Sequence, residues 1–249
     1  MSPVTLVTGA SQGIGAATAR LLAQRGHALL IHFAHRADLA QAIADDCLRL
    51  GAPQAIIAQA DLAREDEVLA LFARLDASLP RLTGLVNNAG IVDHTARLDE
   101  MSAERLQRML AVNVFGPMLC AREAIKRMSH RHGGQGGVIV NVSSSAVRTG
   151  SPALYVDYAA SKGAIDSFTI GLAREVAAEG IRVNAVRPGL IETDIHASGG
   201  LPDRVRDLSH QVPMQRGGTA QEVAQAIVWL MSDASHYTTM SLIDVSGGR

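Results

Sequence analysis

A tyrosine and a lysine in the second half of the chain have the spacing and the chemistry of a proton-transfer pair. Tyr158 and Lys162 are four residues apart in a stretch of helical periodicity, so their side chains project from one helix face. A free phenol has a pKa of about 10, too high for a base at neutral pH. A nearby ammonium favours the phenolate, and lowering this pKa to about 7 requires about 4 kcal/mol. The pair is therefore predicted to exchange a proton with a carbonyl or alcohol oxygen.

A glycine-rich turn near the start of the chain is suited to phosphate binding. Its sequence, GASQGIG at 9–15, lies between a short apolar run and a helical pattern. The glycines allow a tight turn, and the following helix N-terminus presents free N–H groups with a partial positive charge. The spacing G-x-x-x-G-x-G differs from the commonest fingerprint, G-x-G-x-x-G, and glycines occur in many ordinary turns. The position between a predicted strand and a helix favours a dinucleotide site.

The segments that must position these residues alternate between apolar runs and amphipathic stretches. Several of the runs are apolar throughout and do not alternate with polar residues, which is typical of parallel strands buried on both faces. The alternation predicts an α/β protein with a doubly wound parallel sheet of about seven strands and helices on both faces. The predicted strands are 4–8, 28–33, 55–58, 85–87, 138–142, 181–186 and 242–245, and the predicted helices are 13–25, 37–50, 65–75, 102–128, 158–178 and 220–232.

Nothing in the composition divides the chain into parts. No Pro/Ser-rich linker interrupts the 249 residues, which are expected to form one dinucleotide-binding catalytic domain over 1–249. The least regular stretch, 192–216, contains two glycines and two prolines and weak periodicity. Because it follows the end of a predicted strand, we expect a loop/helix segment that covers the substrate. An ordinary surface connection is the alternative.

Composition and charge exclude several classes of partner. The formal net charge of −1 gives no reason to expect nucleic acid or an anionic membrane as partner. The nine histidines lack metal-ligand spacing, so no catalytic metal is expected.

Cys47 and Cys120 are far apart and resemble buried apolar residues of a reducing compartment. With no secretory pattern and no run near about 18 apolar residues, a cytoplasmic protein is expected.

Five motifs together resemble those of the short-chain dehydrogenase/reductases, in that family's order. The resemblance covers essentially the whole chain and implies a single-domain Rossmann-type fold. It also implies an oxidoreductase that transfers hydride between NAD(P)(H) and a small carbonyl or secondary alcohol. The motifs are TGASQGIG at 8–15, NNAG at 87–90, NVSS at 141–144, YAASK at 158–162 and RPG at 187–189.

The resemblance assigns four residues to catalysis: Asn113, Ser144, Tyr158 and Lys162. Tyr158 is the general acid/base, and Lys162 also hydrogen-bonds the nicotinamide ribose. Ser144 is chosen from three adjacent serines to bind the reacting oxygen, with one residue more than in many relatives before Tyr158. Asn113 interrupts a helix, whose freed carbonyl holds a water leading to the lysine. A solvent-facing asparagine is the alternative.

The resemblance also implies the cofactor contacts. Asp61 would meet the adenine end, although it could also cap the helix before Arg64. Ile191 would bind the carboxamide through its backbone and Thr193 through its hydroxyl, while Pro188 and Gly189 could equally make an ordinary strand-to-loop turn. The full expected set is Gly9, Ser11, Gln12, Gly13, Ile14, Gly15, His35, Arg36, Asp61, Leu62, Asn88, Ala89, Gly90, Tyr158, Lys162, Pro188, Gly189, Ile191 and Thr193.

The end of the second predicted strand favours NADP over NAD. An NAD enzyme usually carries Asp or Glu there to bind the ribose 2′-hydroxyl, but this chain has Phe33 and Ala34. Arg36, with His35, could instead meet a 2′-phosphate. A solvated Arg36 is the alternative, and Gln12 weighs against NADP because relatives that prefer it often carry a basic residue there.

Three further questions stay open at the level of sequence. A non-catalytic nicotinamide sensor or scaffold on the same fold would also bind cofactor, but the Tyr–Lys pair that such a protein is expected to lose is intact. A homo-oligomer, tetramer or dimer, is expected from the resemblance. The family's usual glycine before the last strand is replaced in the Met240 region, which weakens the oligomer prediction. Sugars, steroids, acyl thioesters and small ketones remain equal candidates as substrate.

Overall fold

A computed structural model describes residues 2–249 and contains one central sheet of seven parallel strands. The strand order is β3-β2-β1-β4-β5-β6-β9, so the direction of winding reverses between β1 and β4. Such a reversal opens a crevice at the carboxyl ends of the strands. The strands are β1 (Val4–Val7), β2 (Ala28–Phe33), β3 (Ala55–Gln59), β4 (Gly84–Asn87), β5 (Gly137–Val142), β6 (Ile181–Pro188), β7 (Ile191–Glu192), β8 (Gly218–Thr219) and β9 (Leu242–Val245).

Helices cover both faces of this sheet, as the continuous apolar runs predict. Successive residues of β1 enter different cores, with Leu6 in one and Val7 in the other. Phe72 and Leu172 pack on the Leu6 side, and Ile227 packs on the Val7 side. The predicted doubly wound α/β fold and its seven parallel strands are therefore confirmed. The short strands β7 and β8 pair in parallel outside this sheet.

The helices follow the predicted pattern with one interruption. The single helix predicted over 102–128 is divided by a turn of π-helix at Ala111–Phe115. The α-helices are α1 (Gly13–Gln24), α2 (Ala37–Arg49), α3 (Glu65–Ser78), α4 (Ala103–Leu110), α5 (Gly116–Met128), α6 (Ala146–Thr149), α7 (Val156–Val176), α8 (Ile195–Ser198), α9 (Arg204–Leu208) and α10 (Ala220–Met231). Turns of 3-10 helix lie at Leu98–Glu100, His130–His132, Ala177–Glu179, Ser209–Gln211 and Asp233–Ser235. Within residues 2–249, no helix is both long and apolar enough to cross a membrane.

The backbone before the last strand explains why a glycine is usual there. Met240 has φ +63°, in the left-handed region that favours glycine. Its N–H donates to the carbonyl of Val183 at 2.7 Å, and Arg174 Nε approaches its sulfur at 3.4 Å. The chain therefore adopts a left-handed turn here while carrying a side chain that this conformation disfavours.

Candidate active site

The predicted catalytic pair lies in the first turns of α7, facing the end of β5. Lys162 is 4% exposed, and its Nζ donates to the backbone carbonyl of Val142 at 2.8 Å. The same Nζ lies 5.7 Å from the centroid of the Tyr158 ring. Burial lowers the pKa of Lys162 to about 8, and the charge of Asp166 opposes this shift. The two side chains thus share one site, as their spacing predicts.

The pKa of Tyr158 is shifted in the direction opposite to the sequence-based expectation. Burial raises it, and a hydrogen bond with Ser144 opposes the rise. The ammonium of Lys162 stands over the tyrosine ring and is directed to the Val142 carbonyl, so it does not reverse the effect of burial. The residues of this chain therefore favour a protonated phenol at Tyr158.

The three adjacent serines make different hydrogen bonds, which distinguishes their roles. Ser143 donates its hydroxyl to the carbonyl of Lys162 at 3.3 Å, which ties β5 to α7. The N–H of Ser145 donates to the Pro188 carbonyl at 2.9 Å. Ser144 is the serine beside the phenol of Tyr158, and its Oγ also accepts from the N–H of Ala146 at 3.1 Å. This arrangement supports Ser144 as the serine that faces a reacting oxygen.

Asn113 lies inside the π-helical turn, where its side chain is fully buried. Its Oδ1 accepts from the N–H of Ile91 at 2.8 Å, and its Nδ2 donates to the Ile91 carbonyl at 2.9 Å. Nδ2 also lies 3.2 Å from the hydroxyl of Ser161 on α7. The solvent-facing alternative is therefore wrong, and the asparagine links the interrupted helix to the chain after β4 and to α7.

The segment after β4 brings this group against the glycine turn. A Cβ added to Gly90 would lie 3.3 Å from Lys162 Nζ and 3.4 Å from Asn113 Oδ1. Asn88 Nδ2 donates to the carbonyls of Thr8 and Gly9 at 2.9 and 3.0 Å. The N–H groups of Asn88 and Ala89 both donate to Thr8 Oγ1 at 3.0 Å. We call the space bounded by Gly9–Gly15, Asn88–Gly90, Asn113, Ser144, Tyr158 and Lys162 the catalytic crevice.

The turn between β1 and α1 has the shape that a pyrophosphate group needs. Gly9 and Gly13 have φ +62° and +57°, and a Cβ on Gly15 would lie 2.5 Å from Asn88 Nδ2. Helix α1 begins at Gly13 with no acidic residue in its first turn, so its free N–H groups suit an anion. Of the other expected contacts, Ser11 and Ile14 are half-buried and Gln12 is exposed. These residues fit the phosphates of a dinucleotide.

Beyond β2, the residues expected to select the cofactor are exposed. His35 and Arg36 are accessible, whereas Phe33 is buried. Arg36 makes a two-point ion pair with Asp38 in the first turn of α2, with Nε–Oδ1 and Nη2–Oδ2 distances of 3.2 and 3.0 Å. The guanidinium is thus paired at the surface beside the end of β2, where a carboxylate of the same chain competes for it.

Asp61 and Leu62 follow β3 at the same edge of the sheet. Asp61 Oδ1 accepts from the N–H of Ala63 at 3.0 Å, and α3 begins at Glu65 with Arg64 as its N-cap residue. Asp61 therefore caps a short turn, and the alternative that it caps the helix is wrong. Leu62 is only 4% exposed because its side chain packs in the core, so only its backbone is left to contact the cofactor.

The segment after β6 closes over the glycine turn. Pro188 is buried, and a Cβ on Gly189 would lie 2.6 Å from Ser246 Cα, so this glycine permits close packing. The Ile191 carbonyl lies 3.0 Å from His196 Nε2, which occupies one acceptor position of the expected carboxamide-binding residue. Thr193 Cγ2 would lie 3.5 Å from a Cβ on Gly13, which places the threonine directly across the turn.

The stretch 192–216 forms α8, α9 and connecting turns that pack on the start of α7. The hydroxyl of Tyr155 donates to the Gly199 carbonyl at 3.2 Å, and the Arg204 guanidinium lies 5.2 Å from the Tyr155 ring centroid. A pocket on another side of the segment is lined by Thr193, His196 and neighbouring residues, and neither Tyr158 nor Lys162 lines it.

Among residues 2–249, no group of three His, Cys, Asp or Glu side chains is placed to hold a metal ion.

Sequence reasoning missed one residue that contacts the glycine turn. His32 in β2 is 2% exposed, and its two ring nitrogens face Gly9 N at 3.0 Å and the Ala60 carbonyl at 2.9 Å. The signal that could have found it is a polar residue within the continuous apolar run LLIHF. A buried polar side chain in a strand needs partners, and the strand-end turns supply them here.

Comparisons with known proteins show what the whole chain is similar to. The family model described as enoyl-(acyl carrier protein) reductase matches residues 9–249. An uncharacterized oxidoreductase of Escherichia coli, YgfF, is 53% identical over 246 residues, which span 99% of both chains. The cis-4-hydroxycyclohexanecarboxylate dehydrogenase of Sinomonas cyclohexanicum is 40% identical, over 98% of this chain and 95% of its own. A 3-oxoacyl-[acyl-carrier-protein] reductase of Synechocystis is 36% identical, over 98% of this chain and 96% of its own.

Proposed function

The chain belongs to the short-chain dehydrogenase/reductase family, and on that premise we propose that its catalytic crevice is the place where it works. The protein is an NAD(P)-dependent oxidoreductase acting on CH–OH groups, and it exchanges hydride with a small-molecule substrate. Within this activity we assign Tyr158 as the general acid/base. The convergence of Tyr158, Lys162 and the glycine turn on one crevice carries this assignment.

Each of the four catalytic candidates has a distinct task in this proposal. A bound nicotinamide supplies or accepts the hydride and, when oxidised, adds positive charge. Tyr158 holds its proton at neutral pH because burial raises its pKa, so it can donate to a carbonyl oxygen. Ser144, beside the phenol, hydrogen-bonds the same oxygen. Lys162 keeps one N–H on Val142 and has others for a ribose, and Asn113 fixes the chain after β4 around them.

We assign NADP(H) as the favoured cofactor because β2 ends without a carboxylate and Arg36 stands beside it. The two N–H groups of Arg36 Nη1 lie outside its pair with Asp38. A 2′-phosphate carries more charge than a carboxylate and would compete well for the arginine. The remaining contacts are those of the set expected from the sequence, with Leu62 acting through its backbone.

The substrate is proposed to enter between α7 and the 192–216 segment, within one catalytic domain over 1–249. Two relatives are named for a cyclic hydroxy acid and for 3-oxoacyl groups, so secondary alcohols and ketones of these classes are the first candidates. The segment is held over the start of α7 by the Tyr155 contacts with Gly199 and Arg204. This position supports its role as the substrate cover.

A homo-oligomer, with a homotetramer as the first candidate, is proposed from exposed apolar side chains. Leu110, Phe115 and Met118 are exposed around the junction of α4 and α5, while Trp229 and Tyr237 are exposed at and after α10. Large exposed apolar residues in two places favour two interfaces.

Both cysteines are free and buried, which supports a cytoplasmic location.

The test is a substrate screen with both cofactors. Purified protein is mixed with NADPH or NADH and a panel of cyclic ketones, oxo acids and 3-oxoacyl thioesters, with the matching alcohols and oxidised cofactors as the reverse arm. We expect turnover with one of these classes and a higher kcat/KM with NADPH. Saturable cofactor binding without turnover in either direction would support the sensor or scaffold instead.

A further inference from the structure

We propose that His32 is a positioning residue for the cofactor: a neutral imidazole, with its proton on Nε2, that holds the glycine turn against the end of β3. The inference rests on the proposed function of the crevice. β2 lies between β1 and β3 in the sheet, so a side chain at its carboxyl end can reach the turns that follow both neighbours. Gly9 lies in the turn after β1, and Ala60 directly follows β3.

The tautomer follows from the partners. The N–H of Gly9 can only donate, so His32 Nδ1, 3.0 Å away, must present a lone pair. The carbonyl of Ala60 can only accept, so Nε2, 2.9 Å away, must carry the hydrogen. A second proton on the ring would set an N–H at Nδ1 against the N–H of Gly9. Burial lowers the pKa of His32, which agrees with a neutral ring.

His32 fixes the first residues of the turn in two ways. Its side chain accepts from Gly9, and its backbone carbonyl accepts from the N–H of Ala10 at 2.9 Å. These two N–H groups are therefore occupied within the protein, and the N–H groups left for an anion are those at the start of α1. The imidazole also reaches Ala60, the neighbour of Asp61, so it sets the spacing between the pyrophosphate turn and the adenine side.

Two substitutions separate the two hydrogen bonds. The amide oxygen of His32→Asn lies where Nδ1 lay, so this variant keeps the bond from Gly9 and loses the one to Ala60. The amide nitrogen of His32→Gln lies near the former Nε2 position, so this variant keeps the bond to Ala60 and loses the one from Gly9. A buried hydrogen bond lost on either side costs a similar amount of stability. A difference in cofactor affinity between the variants therefore reports on the position of the glycine turn.

The experiment measures cofactor binding, stability and turnover for both variants. Calorimetric titration with NADPH should give a Kd raised about tenfold for His32→Gln and less than about threefold for His32→Asn. Both should lower Tm by similar amounts and leave kcat at saturating cofactor near the wild-type value. Equal Kd changes in the two variants, or lower Tm with unchanged Kd in both, would reduce His32 to a merely structural residue and overturn the proposal.

A measurement on the unaltered protein keeps the proposal testable if a variant does not fold. Nitrogen-15 NMR of histidine-labelled protein should show His32 with a bare Nδ1 and a protonated Nε2, and the opposite tautomer or a charged ring would overturn the proposal. Failure of the wild-type protein to bind either nicotinamide cofactor would instead reject the proposed function. Wild-type binding with no difference between Asn and Gln rejects the His32 inference alone.

Discussion

The catalytic crevice and the 192–216 segment are built in contrasting ways. Side chains around the crevice, such as Asn113 and Lys162, are buried and hydrogen-bonded to the backbone of other elements. Two arginines of the segment pair at the surface. The Arg206 side chain is 73% exposed and pairs with Asp203 and Asp207, and Arg216 pairs with Glu222 on α10.

This difference suggests that the residues proposed for the chemical step and those proposed for substrate selection lie in separate regions. Groups that must keep fixed distances lie on strand ends and helices whose backbone partners over-determine their positions. Groups that we propose to meet variable substrates lie on short helices joined by turns, where a substitution disturbs few buried contacts. We therefore expect changes in the crevice to alter the chemical step or cofactor binding, and changes in the segment to alter substrate KM.

The two lysines of the chain provide the largest expected contrast. Lys162→Met removes a buried ammonium from the crevice while keeping an apolar stem, and kcat should fall by about 100-fold or more because a charge beside the reacting groups is lost. Lys126→Met removes an ammonium on α5 that is 52% exposed and pairs with Glu123, so its kcat should stay near wild type. Steady-state rates of the two variants decide this, and similar losses would erase the distinction between the regions.

A smaller effect is expected at the cofactor end of the crevice. Arg36→Ala should weaken NADPH binding by about tenfold and NADH binding little, because only the first cofactor carries a 2′-phosphate. Asp38→Ala is the matched variant: it releases Arg36 from its ion pair and should tighten NADPH binding. Fluorescence titration with both cofactors measures this, and equal losses for NADPH and NADH in Arg36→Ala would argue against the 2′-phosphate contact.

Within the segment, two arginines of α9 should behave differently. Arg204→Ala removes the cation over the Tyr155 ring and should raise substrate KM about two- to fivefold, with kcat and cofactor Kd unchanged. Arg206→Ala removes a side chain that pairs only with exposed aspartates and should leave all three values unchanged. A fall in kcat for Arg204→Ala would show that the segment takes part in the chemical step.

The smallest effect is in the loop between α6 and α7. Ala153 has φ +55°, a left-handed conformation that costs a non-glycine residue about 1 kcal/mol, so Ala153→Gly should stabilise the protein by up to this amount. The same change in the middle of α3, Ala70→Gly, should destabilise it by about 1 kcal/mol. Urea unfolding compares the two, and destabilisation by both would remove the case for strain beside the crevice.

Residues with local signatures could be placed from the sequence. Apolar runs predicted all seven strands of the sheet, and the spacing of Tyr158 and Lys162 placed both on one helix. The glycine turn was predicted because tight turns demand that residue type. Long-range contacts were not predictable in this way: the pairing of Asn113 with Ile91 and the bonds of His32 to Gly9 and Ala60 depend on the sheet order. The direction of the Tyr158 pKa shift depends on burial, which periodicity does not quantify.

The proton-transfer role of Tyr158 is tested most directly by Tyr158→Phe, measured by single-turnover kinetics with saturating cofactor and by calorimetric cofactor binding. The substitution removes one hydroxyl from the crevice and keeps the ring under Lys162. We predict a hydride-transfer rate lower by at least about 100-fold, with cofactor Kd within about twofold of wild type. Hydride transfer at the wild-type rate in this variant would contradict the assignment of Tyr158 as the proton-transfer residue.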